Sequence, residues 1–127
     1  MGLSVGRIGE DLACRFLVKR GYRIMERNYL VRLGEIDIIA VKKGIYYFIE
    51  VKTVSRRNIR NVSHETNGYR PEDNIHKWKL KRLERAVASY LASRGVSGET
   101  DWTIDAVVIY LDLNEKLAKI NYIESIA

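Results

Sequence analysis

Four charged residues flank one short turn: Glu35 and Asp37 precede Lys43-Gly44, and Glu50 and Lys52 follow it. A two-residue loop at Lys43-Gly44 pairs Lys42 with Ile45. That register sets Asp37 directly opposite Glu50, and Glu35 opposite Lys52. Side chains alternate across a strand, so all four share one face at one end of the hairpin. Ile36 then faces Val51 and Ile38 faces Ile49 on the opposite, core-facing side. A three-residue loop would shift the pairing by one residue and need a bulge to reunite the carboxylates.

Directly opposed like charges destabilise a sheet. Strands as apolar as these are expected to be covered on both faces, where uncompensated charge is costly. A cation between the carboxylates resolves the conflict. Lys52 supplies one positive charge, and a divalent metal would supply the rest. The donors on offer are the carboxylates of Asp37 and Glu50 and the main-chain carbonyl of Val51. These are hard oxygen donors, suited to Mg²⁺ or Mn²⁺. One cysteine and two histidines make no zinc cluster. The bland rival is a salt-bridged polar face open to water.

The charge distribution points to a polyanion. From Lys52 to Arg85 there are ten basic residues and four acidic ones, an excess equal to the net charge of +6 for the whole chain. Nucleic acid is the commonest partner of such a concentrated excess. Arg56, Arg57, Arg60, Arg70, Lys77, Lys79 and Arg82 are the residues expected to hold its backbone. Lys79 shares a helical face with Leu83 and Ala86, so its ammonium needs a partner, either a phosphate or the acidic cluster. His64 and His76 are poorly placed as metal ligands. Tyr69 and Trp78 could stack on bases, and Trp78 is more simply read as core.

The elements that must position these residues follow from periodicity. Val5, Ile8, Leu12 and Phe16 mark a helix over about Ser4 to Arg20, stopped by Gly21. Glu10 lies roughly 20° from Leu17 at about 100° per residue, at the edge of the buried stripe. Tyr22 to Leu30, Glu35 to Lys42 and Ile45 to Thr53 read as strands. Val54 to Arg70 reads as a long polar loop that orders over a substrate. Pro71 opens a helix over about Glu72 to Arg94. Trp102 to Leu113 and Leu117 to Ile123 are two further strands. Asp105 either orients site residues or caps its strand. The order α-β-β-β-α-β-β predicts an α/β fold, a mixed sheet of about five strands flanked by helices. The chain of 127 residues suits one domain, 1–127. Arg7 and Glu10 stand where a secretory signal would need apolar residues, and no run spans a bilayer. A cytoplasmic protein with no membrane partner is expected.

Gly34-Glu35-Ile36-Asp37, followed by Glu50-Val51-Lys52, resembles the PD-(D/E)XK nuclease motif. The wider pattern extends the likeness. Gly6-Arg7-Ile8-Gly9-Glu10, Arg27-Asn28-Tyr29, Ile38-Ile39-Ala40, Phe48-Ile49, Lys79, Arg82-Leu83, Tyr90-Leu91 and Ile104-Asp105 follow in order. Over nearly its whole length the chain is similar to the YraN-like family of bacterial predicted endonucleases, uncharacterised protein family 0102. It departs from that family's pattern at Val54, where a basic residue is common, and at Thr103-Ile104, where Arg-Phe is common.

The resemblance implies a restriction-endonuclease-like fold akin to archaeal Holliday-junction resolvases, whose dimers suggest a homodimer here. It implies that Asp37 and Glu50 hold Mg²⁺ or Mn²⁺ with the Val51 carbonyl, and that Glu10 contributes directly or through water. Glu35 and Asp105 would support the site. Lys52, its amine made less basic by burial, would orient or deprotonate the attacking water. The expected activity is that of a metal-dependent DNA endonuclease on branched or repair intermediates, leaving a 5′-phosphate. The rival is a catalytically inactive nucleic-acid-binding module of the same fold within a repair or recombination complex.

Overall fold

The computed structural model describes residues 4–32, 34–56 and 77–127, without the side chains of Lys77 and Trp78. The elements are α1 (Val5–Lys19), β1 (Arg23–Val31), β2 (Gly34–Lys42), β3 (Ile45–Ser55), α2 (Lys77–Ser93), β4 (Trp102–Asp112) and β5 (Leu117–Ile123). They occur in the predicted order α-β-β-β-α-β-β. The five strands form one sheet in the spatial order β1-β2-β3-β4-β5. Neighbours run antiparallel except β3 and β4, which are parallel. That one parallel step is where the chain crosses over through α2, as a parallel connection requires.

The helices cover opposite faces. Ser4 caps α1 by accepting the Arg7 N–H at 3.2 Å. Ala13 and Leu17 of α1 then pack with Ile38, Ala40, Ile49, Val107 and Ile109. Leu83, Ala86, Val87 and Tyr90 of α2 pack with Ile36, Ile39, Phe48 and Ile104. Strand β3 shows the alternation: Tyr47, Ile49 and Val51 face α1, whereas Tyr46 and Phe48 face α2. Both faces are thus buried, as the apolar strands predict.

Two glycines set how closely the helices approach. A Cβ on Gly9 would lie 1.9 Å from Thr53 Oγ1, so α1 sits directly on β3. A Cβ on Gly34 would lie 3.1 Å from the Arg82 carbonyl oxygen, so α2 sits against the start of β2.

The central hairpin has the predicted register from Lys42↔Ile45 to Ile38↔Ile49. Lys43 (φ 51°) and Gly44 (φ 77°) are both left-handed, as a two-residue turn matched to strand twist requires. The ladder then stops. Neither Asp37 and Glu50 nor Glu35 and Lys52 are paired, contrary to expectation. Ile36 also leaves the predicted side, packing under α2 while Ile38 packs under α1. The neighbouring strand is irregular at the same level. Arg27↔Ile38 and Tyr29↔Ile36 bracket a position where Asn28 stands opposite Asp37. Asn28 is left-handed, with φ 52°. Here both strands reverse which residues face which helix. Arg27 bonds to α1, whereas Tyr29 packs with the α2 cluster.

Strand β3 is longer than predicted. Val54 and Ser55 pair with Tyr110 and Leu111, and the Arg56 N–H donates to the Leu111 carbonyl at 2.7 Å. Pairing with β4 extends a segment whose own sequence lacks apolar periodicity. The rest of the expected loop and the first residues of the expected second helix, 57–76, lie outside the described residues, so the ordering of that loop does too. Among the described residues, no helix is long and apolar enough to cross a membrane.

Candidate active site

Where β2 parts from β3, a cavity of about 300 Å³ opens, lined by Gly34, Glu35, Asp37, Glu50, Lys79, Arg82 and Leu83. The strands supply the acids and α2 supplies the bases. Asp37 and Glu50 therefore meet as the sequence predicts, but through diverging strands rather than across a ladder.

Asp37 is held by the neighbouring strand β3. Its Oδ2 accepts the Val51 N–H at 2.8 Å, in place of the main-chain carbonyl that a continued ladder would offer. In a strand, the N–H and C=O of one residue point the same way, so the Val51 carbonyl is turned toward the same gap. Burial pushes the Asp37 carboxyl up to about 7, the Glu50 charge pushes the same way, and the Val51 N–H opposes them. Glu10 and Glu35 add smaller upward contributions.

Glu50 is buried at 9% exposure. Its Oε1 is paired with Lys79 Nζ, so the acidic cluster is the partner that Lys79 requires. Arg82 lines the same cavity from the next turn of α2.

The remaining predicted residues scatter more widely. Glu35 is exposed at the rim. Lys52 lies two residues beyond Glu50 on the same face of β3, but it is exposed and does not line the cavity. The burial expected around its side chain is therefore not found. Glu10 belongs to the other face. Its Oε1 accepts from Arg27 at 3.1 Å and from Asn28 at 2.9 Å. It touches Asp37 only through its field.

Asp105 does not serve the cavity. It is buried and accepts from the Thr103 hydroxyl at 2.8 Å, the Ser125 N–H at 2.9 Å and the Tyr122 hydroxyl. Burial and the Asp105 contact push the Tyr122 hydroxyl upward. Asp105 thus fastens the chain after β5 to the start of β4. Arg56 lies over the Tyr110 ring, with its guanidinium carbon 5.7 Å from the centroid, and lines a separate cavity with Asp112 and Asn114. Arg57, Arg60, Arg70 and the Lys77 side chain lie outside the described residues.

Arg27 and Asn28, which hold Glu10, are not among the site residues that the sequence predicts. An asparagine inside a strand was the available signal, since asparagine tolerates left-handed backbone.

A metal has partial but chemically suitable provision here. Among the described residues, no group of three or more histidine, cysteine or acidic side chains could hold an ion. Two carboxylates and a main-chain carbonyl nevertheless match Mg²⁺, which is usually bound through one or two carboxylates and keeps several waters.

A family model described as "Uncharacterised protein family UPF0102" matches residues 9–109. A UPF0102 protein of Alkaliphilus oremlandii is 38% identical, covering 98% of this chain and 98% of its own. One from Moorella thermoacetica is 39% identical, covering 94% of this chain and 91% of its own. One from Campylobacter jejuni is 34% identical, covering 92% and 93%.

Proposed function

The chain belongs to the uncharacterised protein family UPF0102, and we propose that it is a metal-dependent nuclease hydrolysing phosphodiester bonds of nucleic acid. One observation carries the reading. Two carboxylates, Asp37 and Glu50, share a cavity with Lys79 and Arg82 where the sheet ladder opens. A buried acid paired with a lysine, beside a second, half-buried acid, forms a site for a cation and an anion together. A phosphodiester with its divalent ion is such a pair.

A bound Mg²⁺ or Mn²⁺ supplies Lewis acidity and a more acidic bound water. Asp37 and Glu50 would hold it, aided by the Val51 carbonyl. The Val51 N–H keeps the Asp37 carboxylate aimed. Lys52, on the open part of the same face, would orient the attacking water and balance charge on the phosphate. Arg82 and the basic segment from Lys52 to Arg85 would grip the backbone on either side. DNA, and branched or repair intermediates in particular, are the substrates the motif resemblance favours, with a homodimer as the acting form.

A second reading, an inactive nucleic-acid-binding module, has one observation in its favour. Glu10, the expected third acid, is engaged by Arg27 and Asn28. Incubation of labelled duplexes, flaps and four-way junctions with Mg²⁺, Mn²⁺ or EDTA separates the two. Divalent-dependent cleavage that Asp37→Asn abolishes supports the nuclease. Tight binding without cleavage under any divalent ion supports the module.

A further inference from the structure

Lys79 and Glu50 are unequal partners. The Glu50 side chain is 11% exposed and fixed on a central strand, whereas the Lys79 side chain is 41% exposed on a helix. A buried carboxylate needs a counter-charge. A long lysine stem can carry its ammonium out to water with little loss. Glu50 is also a proposed metal donor, so two cations have a claim on one carboxylate. They cannot both sit against Oε1, because like charges in contact repel strongly away from bulk water.

We propose that Lys79 is an exchangeable counter-ion of Glu50. It competes with the divalent cation for Glu50 Oε1, and metal loading releases its ammonium toward the substrate phosphate. The inference rests on the metal-dependent reading above and adds a coupling to it. The ion pair neutralises Glu50 before loading, and the same lysine becomes a phosphate donor after it. Arg82 lines the same cavity, so a phosphate bound there would face two cations, the freed ammonium and this guanidinium.

Competition predicts that loss of the lysine strengthens metal binding, whereas a supporting lysine would weaken it. The test is calorimetric titration of the full chain with Mn²⁺, without nucleic acid. Lys79→Met should bind Mn²⁺ roughly five- to tenfold more tightly than wild type, the scale of a partly exposed ion pair. Lys79→Gln, which can still donate to Glu50, should fall between them. Lys81→Met removes the same charge from an exposed site on the same helix and should stay within about twofold of wild type. Melting in EDTA gives an independent readout that does not require turnover. Lys79→Met should melt below wild type there, and Mn²⁺ should raise its midpoint more. Equal or weaker Mn²⁺ binding by Lys79→Met overturns the competition while leaving the metal site standing. Equal tightening in Lys81→Met overturns it too, because net charge alone would then explain the gain. Wild type that binds no Mn²⁺ overturns both this inference and the nuclease reading.

Discussion

The Asp37 carboxylate accepts the main-chain N–H of Val51 at 2.8 Å. The acid thereby stands in for a strand, filling the hydrogen-bonding place that β2 vacates as it leaves β3. This contact makes the divergence tolerable, since an unpaired buried N–H would be costly. The same bond that closes the ladder fixes one wall of the candidate site.

Asparagine keeps an acceptor oxygen for Val51 and removes the charge. Asp37→Asn should fold and lose Mg²⁺-dependent cleavage, and so should Glu50→Gln. Asp37→Ala should lose the same activity and a further ~1–3 kcal/mol of stability, because the Val51 N–H is left unsatisfied. Denaturant melts alongside a cleavage assay check both parts. Full cleavage by either amide variant would remove these residues from the metal site.

The metal-free protein should show a specific pH signature. The Asp37 carboxyl is raised from 3.8 to about 7, chiefly by burial and then by Glu50. Between those values the folded chain holds a proton that the unfolded chain has lost. This group's contribution to stability is therefore full below about pH 4, declines as pH rises to about 7, and levels off above. Asp37→Asn removes the dependence. In EDTA, the melting midpoint of the variant relative to wild type should climb across that window and then flatten. A constant difference from pH 4 to 8 would contradict the raised carboxyl.

Much of this site was readable from one turn. Lys43-Gly44 fixes the register of β2 on β3, and that alone brings Asp37 near Glu50. What could not be read was where the ladder ends. It coincides with an irregular point on β1, the left-handed Asn28, in a strand whose register the hairpin does not control. The exposure of Lys52 was hidden for a similar reason. Local sequence puts it on the face of Glu50, but which part of that face is covered depends on tertiary packing that local sequence does not specify. Local sequence leaves Asp105 open between orienting the site and capping its strand. Its partners, Tyr122 and Ser125, come from the far end of the chain.

Lys52 is exposed beside the cavity, so its contribution should appear in turnover rather than in folding. Lys52→Ala should lower the cleavage rate roughly 10²-fold, the scale of a lost proton-transfer or charge-stabilising group. Affinity for nucleic acid under Ca²⁺ should change far less. A variant with normal single-turnover cleavage and weakened binding would make Lys52 a phosphate contact only.

Affinity for duplex DNA should fall steeply with salt, with a log–log slope near −0.9 per phosphate neutralised. Reversing Arg56, Arg57 and Arg60 to glutamate together should flatten that slope by about two to three contacts. The Arg56 side chain rests on Tyr110, so its reversal should also cost some stability. Binding isotherms at several salt concentrations provide the measurement, and an unchanged slope would move the footprint away from this segment.

The two close-approach glycines should differ in rank. At Gly9 a methyl group would meet Thr53 at 1.9 Å from Oγ1, 2.7 Å from Cγ2 and 2.8 Å from Cβ, on a central strand. Relief requires α1 to lift from β3. Gly9→Ala should therefore cost roughly 2–3 kcal/mol, at the upper end of overpacking. Thr53→Ala in the same chain removes the two outer atoms but leaves the Cβ contact, so rescue should be partial. At Gly34 the nearest obstacle is the Arg82 carbonyl oxygen at 3.1 Å, which a shift of a few tenths of an ångström would clear. Gly34→Ala should cost less than about 1.5 kcal/mol. That small shift moves the turn of α2 that carries Arg82 relative to Asp37 and Glu50, so cleavage should suffer more than stability. Urea melts of the three variants and the cleavage rate of Gly34→Ala test the ranking. Equal destabilisation at the two glycines, or an unimpaired Gly34→Ala, would show that helix approach does not set the geometry of the cavity.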